Sequence, residues 1–286
     1  MIVFLNGQFV PEEQAVVSVF DRGFQYGDGL FETMRVLNGS PFRWEQHWER
    51  LARGAAFLNI PLPFESRELR AMGAQLITTN RMPDSLLRLA VSRGVGRQGY
   101  SPKGAARTTM VMSSHPAPAI DLQRPPRWRV VISAFRLPAN EALAQFKTAN
   151  KLPQVLARAE ADAGHADEAL LQNTDGYVVE GASSNFFWVE PDAVCTPPLA
   201  SGILAGVTRA VVLEICRDLG LATREATVVP DQLRQAQGVF LSLSSFGIVE
   251  VISLDGHPLG QSPWVERIRE SYAGLLQRES RAQGTQ

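Results

Sequence analysis

A proline-rich segment, HPAPAIDLQRPP, begins at His115 near the middle of the chain and limits how the chain can fold. Proline lacks the N–H that helices and strands use, so such a segment is typical of a connection between folded parts. Short strands, glycine-containing turns and amphipathic helices alternate on both sides of it. The sequence therefore predicts an α+β or mixed α/β fold in two lobes: a small N-terminal domain over 1–115, a linker over 116–127 and a larger C-terminal domain over 128–286.

Local signals predict the elements of each lobe. Two Asn-Gly pairs, Asn6-Gly7 and Asn38-Gly39, lie between strand-like segments and predict type I′ hairpins. Apolar residues recur at helical spacing in five segments, which predicts helices over 44–58, 65–79, 153–163, 207–219 and 263–276. The polar tail from Glu279 onward is expected to fray.

The composition argues against several functional classes. With 28 basic and 29 acidic residues, the net charge of −1 provides no attraction to nucleic acid or to an anionic membrane. No stretch reaches the roughly 20 apolar residues of a membrane helix, and the start, MIVFLNGQFV, predicts a strand rather than an export signal. Two cysteines and four scattered histidines predict neither a disulfide framework nor a metal site. We expect a cytoplasmic protein.

Lysine is scarce in this chain. There are 25 arginines but only three lysines, Lys103, Lys147 and Lys151. A coding bias toward arginine accounts for the ratio. Any chemistry that uses a lysine amine nevertheless has only these three candidates, because the guanidinium of arginine does not deprotonate.

Two segments have the composition of anion-binding turns. In GILAGVTR, residues 202–209, a glycine-containing loop enters a helix whose first N–H groups, at Val207 and Thr208, suit a phosphate. In LSLSSFG, Ser244 and Ser245 follow a strand and precede a glycine. A helix N-terminus with nothing bound and a plain polar turn are the alternatives.

Two charged residues in apolar surroundings need partners. Arg50 follows His47 by three residues on the apolar stripe of the first predicted long helix, and either a phosphate or a structural carboxylate would satisfy it. Glu180 ends the apolar strand YVVE, so it is either a surface strand end or an acid that faces a cationic ring nitrogen. Anion sites, a lysine and such an acid are what pyridoxal 5′-phosphate (PLP) requires, which makes PLP one hypothesis among several.

Six motifs, in the same order along the chain, resemble the class IV aminotransferases, which are fold-type IV enzymes that use PLP. The motifs are DRGFQYGDGLFETMRV (21–36), HWERL (47–51), FKTANKLPQVLARAE (146–160), GYVVEGASSNFFWV (176–189), GILAGVTR (202–209) and VFLSLSSFGIVEV (239–251). The resemblance runs over about residues 1–272. It implies the two-lobed fold of D-amino-acid aminotransferases, PLP as cofactor, a small amino-bearing carboxylate as substrate and a homodimer.

The resemblance also implies roles for individual residues. Lys147, in a KxxN pattern with Asn150, matches the lysine that carries PLP covalently, and Glu180 matches the acid at the pyridine nitrogen. The remaining residues that match the cofactor site are Arg50, Val207, Thr208, Leu243 and Ser244. Phe31 and Arg35 match a strand that lines the substrate pocket, and Ser244 and Ser245 match a turn near the substrate carboxylate. Lys151 stands where branched-chain enzymes direct a tyrosine at the phenolic oxygen of PLP. This difference argues against a branched-chain aminotransferase.

Within the family, SRGVGRQGYSPKG (92–104) and the segment from Asn150 resemble 4-amino-4-deoxychorismate lyases, which release pyruvate and 4-aminobenzoate for folate synthesis. For such an acidic substrate, Arg97 or Arg35 is expected to hold a carboxylate and Tyr100 to help close the pocket. Gln98 departs from this pattern, which has arginine there. The alternative is an amino-acid transaminase, acting on D-amino acids or on small or branched-chain amino acids with a 2-oxo acid acceptor. A PLP carrier without turnover is a third hypothesis.

Overall fold

The computed structural model describes residues 1–105 and 107–282, and the chain divides into two compact units. The first unit contains the described residues of 1–118, the short segment 146–150 and the chain from Leu276 onward. The second contains 119–145 and 151–275.

The first unit is built on an antiparallel sheet of six strands in the order β2-β1-β6-β5-β3-β4. The strands are β1 (Ile2–Leu5), β2 (Gln8–Pro11), β3 (Gly29–Leu37), β4 (Ser40–Pro41), β5 (Ser85–Ser92) and β6 (Thr109–Pro116). Both predicted hairpins are confirmed, because Asn6, Gly7, Asn38 and Gly39 all have the positive φ that a type I′ turn requires.

Two long helices of the first unit, α2 (Trp44–Leu58) and α3 (Ser66–Asn80), pack on one face of this sheet. A capping box of Glu65 and Glu68 starts α3. A short helix that the sequence did not predict, α1 (Arg22–Tyr26), has Asp21 as its N-cap and Gly27, with φ 66°, as its C-cap. Because side chains alternate along a strand, Phe31, Thr33 and Arg35 lie on the opposite face of the sheet from these helices.

The second unit is built on a mixed sheet of nine strands in the order β12-β11-β10-β13-β14-β7-β8-β9, with β15 paired to β14. The strands are β7 (Arg127–Leu137), β8 (Glu168–Asn173), β9 (Val178–Gly181), β10 (Asn185–Val189), β11 (Val194–Thr196), β12 (Thr223–Glu225), β13 (Gly238–Leu243), β14 (Gly247–Leu254) and β15 (His257–Pro258). The helices are α4 (Leu152–Ala163), α5 (Val207–Asp218), α6 (Pro230–Leu233) and the start of α7 (Pro263–Ala282). Parallel pairing of β7 with β14 and β8 makes the sheet mixed.

The predicted linker, 116–127, is divided between the two units after Pro118, and the units differ from the predicted division of the chain in two further places. The segment 146–150 lies in the predicted C-terminal domain but groups with the first unit, because its backbone bonds to the start of β3. The end of α7 also groups with the first unit. The expected fraying of the tail is wrong for the described part, because α7 continues to Ala282 and Glu279 forms an ion pair with Arg43 at 3.0 Å. Residues 283–286 of that tail lie outside the described residues.

Two features of the described residues bear on membrane and metal binding. None of their helices is both long and apolar enough to cross a bilayer. Nor do they contain a group of three or more His, Cys, Asp or Glu side chains placed to bind a metal ion.

Candidate active site

Lys147 lies on a short segment that extends the first unit's sheet beside β3. The N–H of Phe31 donates to the Lys147 carbonyl at 2.9 Å, and the Ala149 N–H donates to the Gly29 carbonyl at 2.9 Å. Thr148 completes the pairing with a bridge to Leu30. The Lys147 Nζ lies 4.6 Å from the centroid of the Phe31 ring. The backbone pairing therefore holds the lysine against a half-buried aromatic side chain.

The KxxN spacing has a structural reason in this chain. The Asn150 side-chain amide donates to the Gly27 carbonyl at 3.3 Å. A Cβ at position 27 would lie 2.3 Å from Asn150 Oδ1, and Gly27 has a positive φ. Only glycine fits there, so Asn150 and Gly27 together fix the position from which Lys147 extends.

Arg50 is held in a buried cluster with Glu32 and His47. The Glu32 carboxylate accepts from Arg50 Nε at 2.7 Å and from Arg50 Nη2 at 2.6 Å, and its Oε2 lies 2.6 Å from His47 Nδ1. All three side chains are at most 5% exposed. Of the two partners that the sequence left open for Arg50, the structure provides the carboxylate. The match of Arg50 to a phosphate arginine stays a prediction.

The cluster fixes the charge on Glu32 and the tautomer of His47. Burial raises the pKa of Glu32, but the positive charge of Arg50 and the bonds from His47 outweigh it and lower that pKa to about 2. Burial lowers the pKa of His47 below its usual value despite the neighbouring carboxylate. Since an ionised carboxylate only accepts hydrogen bonds, the neutral His47 ring carries its hydrogen on Nδ1 and donates it to Glu32.

Sequence reasoning missed Glu32, although a signal for it exists. Glu32 alternates with Leu30 and Met34 on the helix-facing side of β3, where every other side chain is apolar. An acid on that face, opposite an arginine on the apolar stripe of a helix, predicts a buried ion pair.

A second missed residue, Arg88, lies on the other face of the sheet. Arg88 pairs with Thr33 across β5 and β3, and its guanidinium carbon lies 4.1 Å from the centroid of the Phe31 ring. Arg35, on the same face, donates from Nη1 to the Pro118 carbonyl at 2.7 Å and is 4% exposed. The regular alternation of LLRLAV in β5, with Arg88 in the middle, is the signal that could have found it.

Arg97 and Tyr100 lie on the loop between β5 and β6. Both side chains are exposed, Tyr100 to 88%. The backbone of this loop is bound by Arg22, which donates to the carbonyls of Gly99, Tyr100 and Ser101. Arg97, predicted to hold a substrate carboxylate, and Tyr100, predicted to help close the pocket, therefore stand on a backbone held by another residue of the first unit.

In the second unit, Glu180 lies at the end of β9 and is 9% exposed. Its Oε2 accepts the Leu204 N–H at 3.0 Å, and the Asn185 side chain donates to the Leu204 carbonyl at 3.0 Å. A Cβ on Gly206 would lie 2.0 Å from Asn185 Oδ1, so the loop that precedes α5 passes tightly against Asn185. Glu180 is thus a buried acid in a fixed position rather than a surface strand end.

The residues around this loop fit the phosphate and ring of PLP. Gly206 is the N-cap of α5 and provides no side-chain cap, so the first-turn N–H groups at Val207 and Thr208 suit an anion. Ser184 and Ser242 have buried hydroxyls for which the described residues provide no hydrogen-bond partner. Buried hydroxyls of this kind are expected where a bound group completes the bonding.

The remaining predicted residues lie in two places of the second unit. Leu243, Ser244 and Ser245 form the turn from β13 into β14, which Gly247 closes with φ 72°. A Cβ on Gly247 would lie 2.5 Å from the Tyr272 ring. Lys151 is the N-cap residue of α4. The residue that binds the phenolic oxygen of PLP stays unassigned.

Comparison with known proteins identifies the family. The model of the family described as "Amino-transferase class IV" matches residues 29–254. This chain belongs to the class IV aminotransferase family. It is therefore an enzyme that uses PLP and has the mixed α/β fold of this family.

Individual relatives of the class IV family carry different names. A putative branched-chain-amino-acid aminotransferase of Methanocaldococcus jannaschii is 35% identical over 256 residues, 90% of this chain and 88% of that protein. A D-alanine aminotransferase of Bacillus licheniformis is 33% identical over 262 residues, 91% and 90% of the two chains. The crystal structure of 4-amino-4-deoxychorismate lyase from Pseudomonas aeruginosa is 35% identical, with a TM-score of 0.81 over 94% of this chain and 97% of that one.

Proposed function

We propose that the protein is a 4-amino-4-deoxychorismate lyase whose PLP is bound to Lys147. The observation that carries this proposal is the arrangement around Phe31, where the Lys147 Nζ lies 4.6 Å and the Arg88 guanidinium 4.1 Å from one aromatic ring. The substrate is a ring that carries an amine and a carboxylate. A lysine matches the amine, an aromatic surface matches the ring and an arginine matches the carboxylate.

The residues that would hold PLP belong to two sets. In the first unit they are Lys147, for the covalent attachment, and Arg50, for the phosphate. In the second unit they are Glu180, for the pyridine nitrogen, and the phosphate-binding residues Val207, Thr208, Leu243 and Ser244. When bound, PLP accepts the electron pair that the substrate carbon keeps when it loses its proton.

The protein's own groups then have separate tasks. Lys147 Nζ removes the proton from the carbon that bears the substrate amine, and Glu180 keeps a proton on the ring nitrogen through its charge. Arg88 holds the ring carboxylate of the substrate, with Arg35, Arg97 and Tyr100 on the same unit as further binding groups. The substrate divides into 4-aminobenzoate and pyruvate with no other reactant, so the site needs no acceptor. The 4-aminobenzoate would supply folate synthesis.

Transamination is the second candidate function, and the names of two of the relatives support it. The relatives at 35% and 33% identity are named as branched-chain and D-alanine aminotransferases. Both reactions begin with proton removal by the same lysine. They differ in what the site must bind next, because a transaminase would need a 2-oxo acid as its second substrate, whereas the lyase would need none.

One experiment tests the proposal against this candidate. Purified enzyme is given 4-amino-4-deoxychorismate, and pyruvate and 4-aminobenzoate are measured; separately, it is given D-alanine or D-glutamate and the cofactor absorbance is followed. The lyase proposal predicts equimolar pyruvate and 4-aminobenzoate. No 4-aminobenzoate, together with lasting conversion of the cofactor to its amine form by an amino acid, would replace it with the transaminase.

We also propose that the enzyme is a homodimer. The support is a set of apolar or aromatic side chains in the first unit that are 63–88% exposed: Val16, Val19, Phe20, Phe24 and Tyr100. Surfaces of this kind mark protein interfaces. Light scattering should give about twice the chain mass of 31.4 kDa, whereas the mass of one chain at micromolar concentration would contradict the proposal.

A cytoplasmic location is proposed on the state of the two cysteines. Cys195 and Cys216 are both free and buried, as is typical of proteins in reducing compartments. Burial raises the pKa of the Cys195 thiol to about 11 and that of Cys216 to about 12, which keeps both unreactive. Fluorescent tagging in the source cell tests the location, and signal outside the cytoplasm would contradict it.

A further inference from the structure

Arg22, in the DRG sequence at the start of the first motif, has no role in the proposed function. It is the first residue of α1 and is only 4% exposed. Four bonds leave its guanidinium: Nε donates to Asp28 Oδ2 at 2.8 Å, Nη1 to the carbonyls of Gly99 at 2.8 Å and Ser101 at 3.2 Å, and Nη2 to that of Tyr100 at 3.1 Å. A single side chain therefore binds three consecutive carbonyls of the loop between β5 and β6.

Further contacts around Arg22 also hold this loop in place. The Arg22 guanidinium lies 4.9 Å from the centroid of the Tyr26 ring, and the Tyr26 hydroxyl accepts the Gly99 N–H at 3.0 Å. A Cβ on Gly96 would lie 2.8 Å from Arg22 Cδ, so the loop approaches the arginine stem as closely as glycine permits. The conformation of residues 96–101 is thus determined by contacts with α1.

Asp28 supplies the countercharge of Arg22 and also binds Arg93, a second arginine that bonds to the same carboxylate. Arg93 donates to both Asp28 oxygens, from Nε to Oδ2 at 2.8 Å and from Nη2 to Oδ1 at 3.0 Å, and its Nη2 and Nη1 also bind the carbonyls of Leu58 and Asn59 at the end of α2. Burial raises the pKa of Asp28, but bonds from Arg93 and Arg22 outweigh it and lower that pKa. The two arginines therefore share an ionised anchor but hold different segments, one the loop and the other the helix end.

We propose that Arg22 is a positioning residue that sets substrate affinity by fixing the loop on which Arg97 and Tyr100 stand. This inference rests on the proposed function, in which those two side chains meet an acidic substrate. Both side chains are exposed, and the Tyr100 ring has an edge contact with the Tyr26 ring of α1 at 5.7 Å between centroids, so the loop backbone and α1 together set their position. Lysine cannot replace Arg22, because an ammonium lacks the planar fork that binds three carbonyls and a carboxylate at once.

The test compares Arg22→Lys with Arg93→Lys in the full-length holoenzyme. Hydrogen exchange should become about tenfold faster in residues 96–101 of Arg22→Lys, and instead in residues 58–60 of Arg93→Lys. For Arg22→Lys, KM of the amino substrate should rise about tenfold while kcat stays within about twofold and the PLP content is unchanged. Arg93→Lys should leave KM within about twofold.

Three results would overturn the inference: unchanged exchange in the loop of Arg22→Lys, a loosened loop with KM unmoved, or an equal rise of KM in both variants. Should Arg22→Lys not fold, Tyr26→Phe removes only the hydroxyl that binds the Gly99 N–H and should change the same two quantities in the same direction.

The outcome is distinguishable from failure of the lyase proposal. If wild-type enzyme forms no 4-aminobenzoate, KM is measured with D-glutamate or another acidic amino donor that it does accept. Loop exchange requires no substrate at all, so it reports on Arg22 whichever reaction the enzyme catalyses.

Discussion

The two units hold their functional groups by different means. In the first unit, Glu32, His47 and Arg50 form a buried cluster in which charged side chains hold one another. In the second unit, Glu180 is held by a backbone N–H of the loop before α5, and that loop is shaped by Gly206. Side-chain charge should make the first arrangement sensitive to protonation and charge removal, whereas backbone geometry should make the second sensitive to added volume.

The largest effect should come from removing the charge at the centre of the cluster. Glu32→Gln leaves the Arg50 guanidinium buried without its carboxylate, which is expected to lower the free energy of unfolding by about 3–5 kcal/mol. Denaturant unfolding measures this. The matched control, Asp162→Asn, removes the acid of the exposed pair with Arg158 and should cost at most about 0.5 kcal/mol. Equal losses of unfolding free energy in the two variants would show that Glu32 stabilises the protein no more than an exposed acid does.

Acidification should weaken the same cluster. Unfolded Glu32 takes up a proton near its ordinary pKa of 4.5, whereas folded Glu32 does so only near 2. Between these values the unfolded state binds more protons, so the free energy of unfolding falls as the pH falls, by roughly 3 kcal/mol from this residue. Denaturant unfolding between pH 4.5 and 2.5 should show this loss in wild type and a shallower one in Glu32→Gln. Parallel profiles would contradict the assignment.

Added volume should damage the second unit. In Gly206→Ala the new methyl group would lie 2.0 Å from Asn185 Oδ1 and must displace the Asn185 side chain, at a cost of about 1–3 kcal/mol. We expect about tenfold weaker PLP binding, measured by titrating apoenzyme and following absorbance. Gly164→Ala is the control, since its Cβ meets nothing closer than 3.4 Å. Unchanged PLP affinity in Gly206→Ala would show that this loop does not contribute to cofactor binding.

The smallest effect separates the two faces of the first unit's sheet. Arg88→Met removes a cation beside Phe31 but leaves the Glu32 cluster on the other face intact. Because Arg88 is an exposed side chain, its bond to a carboxylate is worth about 1 kcal/mol, which corresponds to a KM increase of roughly fivefold for an acidic substrate. PLP content and stability should be unchanged, as in the control Arg124→Met at an exposed site. An unchanged KM would show that Arg88 does not bind the substrate.

Sequence reasoning succeeded where a signal is local. The hairpins at Asn6-Gly7 and Asn38-Gly39, the helix from Trp44 and the glycine loop before α5 follow from turn chemistry and periodicity, which neighbouring residues determine. Family membership followed from six motifs taken together. The short helix α1 was missed because five residues are too few to show a period.

The long-range partners could not be predicted in the same way. Glu32 meets Arg50 across 18 positions, and Arg22 meets Tyr100 across 78. Such pairs depend on how a strand, a helix and a loop are brought together, which no local pattern records. Two hints were nevertheless present: an acid on the apolar face of β3 and an arginine in the middle of β5.

Every role proposed for this enzyme depends on attachment of PLP to the amine of Lys147. Borohydride reduction of the holoenzyme, followed by proteolysis and mass spectrometry, locates this attachment, because reduction makes it permanent. We expect a single pyridoxyl-modified peptide that carries the added mass at Lys147. Modification at Lys103 or Lys151 with Lys147 unmodified, or full turnover by Lys147→Ala, would contradict it.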